Sequence, residues 1–291
     1  MEQIQESMLY KENEPYTFQK FLRKFDILEK INWNRENIKK VIQQISWNIV
    51  AEKINYCELK LSIGRYVRDS GLNASDVIKF IHDIISEEEQ KWDVRLPIIL
   101  CLKYESDKKQ QLEFSNIIKN GARDCVSGID LVGDEEYLDI DFYIPIFKRW
   151  KDAGKGLQAH VGESQSAENV RLAIEKLNVD RIAHGIHAAD HPDILDLAKS
   201  KDVCFDIALS SNVYTGVVKS ISEHPIRKLF EKIDVTIGTD DPVILNTNLD
   251  NEYRILLDLG FTENEILQII DNSIYHAFDP YISCLSKRVN K

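Results

Sequence analysis

Short apolar runs alternate with longer amphipathic segments in this chain, and this alternation restricts the folds that it can adopt. Each run has the length of one strand, and several are rich in Ile, Val and Leu, as strands covered on both faces of a parallel sheet are. The runs are Tyr56–Ile63, Arg95–Leu102, Val126–Gly133, Gly156–Gly162, Arg181–Ile186, Val203–Leu209 and Val235–Asp240. The alternation therefore predicts parallel βα units.

The segments between the runs carry helical spacing and helix-start signals. In residues 74–92 apolar side chains recur on one helical stripe, and Ser75 is the expected N-cap. Pro192 stands where the first turn of a later helix is expected. Thr262 and Glu265 have the spacing of a capping box. Helices are therefore predicted between the strands.

Regular βα alternation in 291 residues favours an α/β fold of the (β/α)8 TIM-barrel type, as a single domain over residues 1–291. A doubly wound open sheet is the alternative, but no glycine-rich phosphate loop follows any of the runs. Residues 1–55 read as a helical lid region, and residues 56–291 supply only seven strands. We therefore expect an incomplete barrel whose first strand is missing, with an open edge for a partner chain or self-association.

Charge and composition exclude several classes of protein. The net charge of -11 argues against binding to nucleic acid or to an anionic membrane surface. No apolar run approaches the roughly 20 residues of a membrane span, and the polar, acidic N-terminus is not a secretory signal. Five scattered cysteines form no C-x-x-C, so we expect reduced core thiols. Together these features predict a cytoplasmic protein.

Polar side chains cluster where the predicted strands end, which is where parallel barrels carry their chemistry. They are Asp130, Gly133, Asp134, Glu135, His160, Glu163, His184, His187, Ser210, Ser211, Asn212, Asp240 and Asp241. His, Glu or Asp at successive strand ends predicts a metal site or an acid–base site.

Each of these motifs also has an ordinary structural explanation. Glu163 could lie on the surface beside a hydrogen-bonded histidine, and His184 could be a satisfied core histidine. The pair Asp240 and Asp241 could form a solvated turn that caps a helix. Since Asp241 precedes a proline, it is biased toward an extended conformation, which would aim the two carboxylates differently.

The other histidines have weaker signals. His191 and His224 each precede a proline that starts a helix, so we interpret them as surface or capping residues. His82 and His276 lie on predicted helices and receive no role.

Taken together, the motifs GIDLVGDE, HVGE, RIAHG, SSNVYTG and TDDP resemble the adenosine deaminase family of metal-dependent amidohydrolases in their order and spacing. The segment FQKFLRKFD resembles the helical lid of that family, so the resemblance covers nearly the whole chain. It implies a zinc-dependent hydrolase that converts adenosine or a related 6-aminopurine to inosine and ammonia.

The resemblance implies a role for each strand-end residue. His160 would be a zinc ligand, and Asp240 would be a second ligand that also contacts the attacking water. Glu163 would protonate N1 of the purine while hydroxide attacks C6. His184 would orient the water and help to deprotonate it.

On the substrate side, the resemblance implies that Asp241, with its carboxyl protonated, hydrogen-bonds to N7. The backbone N–H of Gly133 would contact N3. The apolar wall of the pocket would consist of Phe18, Phe21, Leu22 and Phe25. The implied partner is therefore a small purine nucleoside.

One family element is absent from this sequence. The family pattern begins with a His-x-His that supplies two zinc ligands, whereas no histidine here precedes His82. Catalytic zinc sites normally have three protein ligands, so we expect one zinc ion, weakly bound or absent.

Three interpretations of that gap remain. The chain could be a truncated or mis-started form of an active enzyme, or a metal-poor relative that binds purines or a partner without catalysis. Alternatively, another polypeptide could supply the first strand. Glu163, His184, Asp240 and Asp241 occur together, which favours a catalytic origin.

Overall fold

A computed structural model describes residues 17–286 of the chain. These residues form two compact units, one made of residues 17–30 and 158–286 and the other of residues 31–157. The predicted lid region at 1–55 begins in residues 1–16, which lie outside the described residues. The single domain over 1–291 stays a prediction.

The unit of residues 31–157 contains three parallel strands whose order follows the chain: β1 (Leu59–Leu61), β2 (Ile98–Lys103) and β3 (Gly128–Val132). All residues of β2 except the last are buried, as expected for a strand covered on both faces. The α-helices are Arg35–Ala51, Gly64–Ser70, Ala74–Trp92, Lys108–Ser115 and Ile140–Asp152, and the 3-10 turns are Asn116–Ile118, Arg123–Cys125 and Glu135–Tyr137.

The helix Ala74–Trp92 corrects one prediction. Its N-cap is Asn73, whose side-chain oxygen accepts a hydrogen bond of 3.0 Å from the backbone N–H of Asp76. The prediction of Ser75 was wrong because this residue already lies in the first turn of the helix, where it is buried. A cap must be the residue that stands just outside the first turn.

The other unit contains β4 (Gly156–Val161) from Gln158 onward, followed by β5 (Arg181–His184), β6 (Cys204–Ile207) and β7 (Val235–Ile237). These strands also pair in parallel and in chain order. The α-helices are Phe18–Lys24, Ala167–Leu172, Pro192–Ser200, Leu209–Tyr214, Ile226–Phe230, Pro242–Leu245, Leu249–Asp258, Glu263–Tyr275 and Pro280–Ser283, with 3-10 turns at Phe25–Lys30, Ile186–Asp190 and Ile221–Glu223 and a π turn at Ala173–Leu177.

Two helix-start predictions are confirmed in this unit. Pro192 occupies the first turn of its helix. The Thr262 hydroxyl accepts from the backbone N–H of Glu265, and the Glu265 carboxylate accepts from the backbone N–H of Thr262, which completes the capping box.

A row of polar side chains links the strands of this unit. Arg181 on β5 donates from Nε to Oε1 of Gln158 on β4 at 2.9 Å. Thr236 on β7 donates to Oδ1 of Asp206 on β6 at 3.1 Å. Because buried polar groups must be paired, these bonds favour one register of the strands and so fix which residues reach the strand ends.

Seven parallel strands, each followed by helical structure, confirm the predicted (β/α) barrel class, and among residues 17–286 there are seven strands rather than eight. Within that range no helix is both long and apolar enough to cross a membrane.

All five cysteines are free thiols. Cys101 and Cys204 are buried, as predicted, but Cys284 is exposed and Cys57 and Cys125 are half-buried. The core placement predicted for those three was wrong because each lies outside the strands, where the neighbouring apolar residues cover it less completely.

Candidate active site

Two predicted histidines lie on neighbouring strands. His160 is the next-to-last residue of β4, and His184 is the last residue of β5. In the parallel ladder His160 pairs with Ala183 and Val161 with His184. The two imidazole rings meet edge to face, with their centroids 5.2 Å apart. The carboxyl ends of β4 and β5 therefore present both rings to one site.

The backbone is strained at two of the predicted residues. His184 has φ 66° and Asp240 has φ 53°, in the left-handed region that residues with a Cβ rarely adopt. Gly185 follows His184 with φ 65°, and a Cβ there would collide with the ring of Phe205. Such strain costs about 1–3 kcal/mol per residue and persists where the surrounding structure enforces it, as at active sites.

Glu163 is buried rather than exposed, with only 6 % of its surface accessible. Its Oε2 lies 3.5 Å from Nε2 of His184. The surface interpretation of this carboxylate is therefore wrong. A buried carboxylate that faces an imidazole is typical of acid–base sites.

Asp240 is held by a neighbouring hydroxyl. Ser211, on the helix Leu209–Tyr214 that follows β6, donates from Oγ to Oδ2 of Asp240 at 2.6 Å. Ligand-type atoms of His160, His184 and Asp240 all lie within 4.8 Å of one another. Imidazole nitrogen and carboxylate oxygen are donors that zinc accepts.

Asp241 occupies the N-cap position of the helix Pro242–Leu245, but its side chain makes no capping hydrogen bond. The structure therefore does not support helix capping as the reason for the acidic pair Asp240 and Asp241. The roles predicted for Asp241 and for the other site residues stay predictions.

Three of the predicted lid residues pack against the helix that follows this acidic pair. Phe21 forms an apolar cluster with Ile244 and Leu245, and Leu22 and Phe25 pack against it. The rings of Phe21 and Phe25 meet edge to face at 5.5 Å. The helix Phe18–Lys24 therefore lies against the short helix that begins after Asp241.

The two remaining predicted substrate contacts are Phe18 and Gly133. Phe18 is buried on the same helix but is not part of that apolar cluster. Gly133 belongs to the unit of residues 31–157, where it follows β3 with φ 101°. Asp134, next to it, donates its backbone N–H to Oε1 of Glu105 at 2.9 Å.

The surface interpretation of His224 was wrong, and the N-cap of the helix Ile226–Phe230 is Pro225 rather than His224. His224 is buried, with 6 % of its surface accessible, and its Nδ1 accepts from the backbone N–H of Ile226 at 3.1 Å. Its Nε2 lies 3.1 Å from Oδ1 of Asn212, and Nδ2 of Asn212 lies 3.0 Å from Nδ1 of His184. His224 and Asn212 are thus connected to the site.

From the sequence, Asn212 was counted among the strand-end polar residues and His224 was interpreted as a surface or capping residue, without a link between them. The motifs SSN and HP marked their positions, but nothing in the spacing showed that side chains twelve residues apart would meet in the core.

The burial of His224 predicts how the stability of the protein depends on pH. Burial, and secondarily the His184 imidazole, lowers the pKa of His224 from 6.5 to about 3. Between those pH values the unfolded chain binds a proton that the folded chain excludes, so stability falls as pH falls through this window. We expect His224→Gln to flatten this decline when urea unfolding is measured from about pH 7 to pH 4. The control is His191→Gln, at an exposed histidine that also precedes a proline. Parallel curves for wild type and His224→Gln would contradict the burial effect.

A second group of ligand-type side chains lies at the other ends of the strands. Asp202 precedes β6, Asp234 precedes β7, and both lie near His276. His276 Nε2 is 3.0 Å from Oδ2 of Asp234, and the Tyr275 hydroxyl donates to Asp202 at 3.2 Å. These side chains are thus engaged in hydrogen bonds with one another and their neighbours.

Solved structures share the fold of this chain. An adenine deaminase from Arthrobacter aurescens matches with a TM-score of 0.85 at 19% identity, covering 99% of this chain and 88% of that one. An amidohydrolase from Burkholderia ambifaria with bound zinc matches at 0.83 and 20% identity, covering 91% and 75%. An N6-mAMP deaminase from Arabidopsis matches at 0.84 and 18% identity, covering 99% and 87%.

Comparison of sequences identifies the family, which the shared fold alone does not. The family model for adenosine deaminase matches residues 1–283. A curated adenosine deaminase from Clostridium botulinum (strain 657 / Type Ba4) is 30% identical over 263 residues, which span 89% of this chain and 78% of that protein. With the histidines, the buried glutamate and the acidic pair in one unit, these matches lead to one conclusion: the chain belongs to the adenosine deaminase family.

Proposed function

We propose that this chain catalyses the hydrolytic deamination of a 6-aminopurine, with adenosine as the substrate and inosine and ammonia as products. The observation that carries the proposal is the meeting of Glu163, His184, His160 and Asp240 at the carboxyl ends of their strands. Adenine and N6-mAMP deaminases among the structural neighbours support a purine as the substrate class.

We also propose that His160 and Asp240 would hold a zinc ion. Their imidazole nitrogen and carboxylate oxygen suit zinc, and the match to a zinc-containing amidohydrolase supports that choice. When bound, zinc lowers the pKa of a water molecule and acts as a Lewis acid. Because Nδ1 of His184 is engaged by Asn212 and its Nε2 faces Glu163, we assign His184 to the water rather than to the metal.

Glu163 would hold the proton that reaches N1 of the purine. Protonation at N1 withdraws electron density from C6, which prepares that carbon for attack. Water adds to C6 through a new C6–O bond, and one of its protons joins the amino group, which leaves as ammonia when the C6–N bond breaks. The other water proton replaces the one that Glu163 gave to N1. His184, whose Nε2 lies 3.5 Å from Oε2 of Glu163, would hold the attacking water on the side of the purine where Glu163 lies.

The remaining predicted residues would bind the purine. Asp241, at the N-cap position of the helix Pro242–Leu245, would hydrogen-bond to N7. Phe18, Phe21, Leu22 and Phe25 of the lid would cover the base with apolar surface. The backbone N–H of Gly133 would contact N3.

A second candidate function is purine binding without turnover. The observation that favours it is the absence of any histidine before His82, which leaves His160 and Asp240 as the two zinc donors assigned within this sequence. Catalytic zinc sites usually have three protein ligands.

The two candidates separate in one experiment. The purified chain with added zinc is incubated with adenosine, deoxyadenosine, adenine or AMP, and ammonia is measured together with loss of the adenosine ultraviolet band. We expect turnover of adenosine. Calorimetric binding of purines without metal, accompanied by no ammonia from any of them, would replace the proposal with the binding function.

A further inference from the structure

We propose that Asn212 and His224 are positioning residues that hold His184 in the neutral tautomer whose hydrogen is on Nε2, the nitrogen that faces Glu163. The catalytic consequence of this arrangement rests on the proposed function, whereas the tautomer itself does not.

The direction of the hydrogen-bond chain is set by a backbone amide. The N–H of Ile226 can only donate, so the Nδ1 of His224 that it contacts at 3.1 Å must accept. A histidine that accepts at Nδ1 and is neutral carries its hydrogen on Nε2. Burial keeps His224 neutral, since it lowers the pKa of this imidazole to about 3.

That hydrogen fixes the orientation of the next side chain. Nε2 of His224 is 3.1 Å from Asn212, so the amide atom that faces it must be the acceptor Oδ1. The amide nitrogen of Asn212 therefore points the other way and donates to Nδ1 of His184 at 3.0 Å. His184 accepts at Nδ1, and its hydrogen is on Nε2.

Burial makes this direction obligatory. His184, Asn212 and His224 have 3 %, 0 % and 6 % of their surface accessible, so solvent cannot replace a mispaired bond. If any one link were reversed, two donors or two acceptors would face each other without water, which is costly in a protein interior.

This tautomer determines what the Nε2 side of the His184 ring can do in the reaction. An N–H at Nε2 can donate to the oxygen of the attacking water or to Glu163, 3.5 Å away. The Nδ1 lone pair is used by Asn212 and is unavailable to a metal. In this arrangement His184 orients water by donating a hydrogen bond and does not act as a base.

The direct test is NMR of the protein with 15N-labelled histidine rings, with and without zinc. Ring N–H correlations report which nitrogen carries the hydrogen, and the His184 signals are those lost in His184→Gln. We expect hydrogen on Nε2 in the wild type. In Asn212→Asp the side chain can only accept, so the His184 hydrogen should appear on Nδ1. Hydrogen on Nδ1 in the wild type, or no change in Asn212→Asp, would overturn the proposal.

Variants at His224 provide a second test should Asn212→Asp fail to fold. His224→Gln keeps an N–H near the position of Nε2 and should rescue the wild-type His184 pattern, whereas His224→Leu should lose it. His191→Leu, at the exposed His-Pro pair, is the matched control and should change nothing. Equal spectra for His224→Leu and wild type would also overturn the proposal.

Kinetics then test the role in catalysis. We expect Asn212→Asp and His224→Leu to lower kcat about 10–100-fold, as loss of an outer partner of a site does, with little change in KM. A change in KM alone would contradict a positioning role. If no purine is deaminated while the NMR pattern holds, the tautomer stands and the proposed function fails.

Discussion

Replacement of Glu163 by Gln is expected to lower kcat for adenosine deamination by about 10²–10⁴-fold, the usual contribution of a positioned acid or base. Gln has nearly the same shape and keeps an oxygen that can face Nε2 of His184, so the pocket should keep its form. It cannot deliver a proton to N1. The measurement is the initial rate of ammonia release, together with calorimetric binding of a purine nucleoside.

The matched control for this variant is Glu168→Gln. Glu168 is exposed, lies in the first turn of the next helix and forms an ion pair with Arg171 at 3.2 Å. Its replacement should leave turnover unchanged. A Glu163→Gln variant that binds purine and retains turnover within a few-fold of the wild type would remove Glu163 from the mechanism.

Replacement of Asp240 by Asn is expected to abolish both stoichiometric zinc and turnover. Loss of an outer-shell partner alone weakens metal binding or activity by about 10–100-fold, and loss of a charged ligand should exceed that. Asn keeps the shape and can still accept a hydrogen bond from Ser211, so the loss would report the ligand charge. Zinc content by mass spectrometry after dialysis is the measurement.

Asp234→Asn provides the control because Asp234 belongs to the second His and Asp group, with Asp202 and His276. We expect that variant to keep the zinc content and turnover of the wild type. If Asp234→Asn loses the zinc and Asp240→Asn keeps it, the metal is bound at the other ends of the strands, and our assignment of His160 and Asp240 is wrong.

The strands of the barrel could be predicted from the sequence because parallel strands that are buried on both faces require short continuous apolar runs. Every predicted run contains one of the observed strands or most of one, with shorter bounds. Which of two similar residues caps a helix could not be predicted from the sequence. Asn73 and Ser75 are both good caps, and the start of the helix decides between them.

The candidate site was partly predictable for the same reason. His160 and His184 lie at the carboxyl ends of their strands and Asp240 follows β7, and parallel strands bring their carboxyl ends together. His224 was misread because its burial depends on contact with Asn212 across a loop. Asp241 needed the structure as well, since sequence alone left helix capping open and the side chain makes no such bond.

The most direct measurement of the central claim is deamination of adenosine in H₂¹⁸O by the zinc-supplemented chain, with wild type and Glu163→Gln compared side by side. Hydrolytic deamination replaces the amino group by an oxygen from water. The account predicts ammonia and inosine in equal amounts, with ¹⁸O at C6, from the wild type, and severely reduced product from Glu163→Gln. Adenosine that binds but is recovered without ammonia or ¹⁸O would contradict the claim that this chain is a hydrolytic purine deaminase.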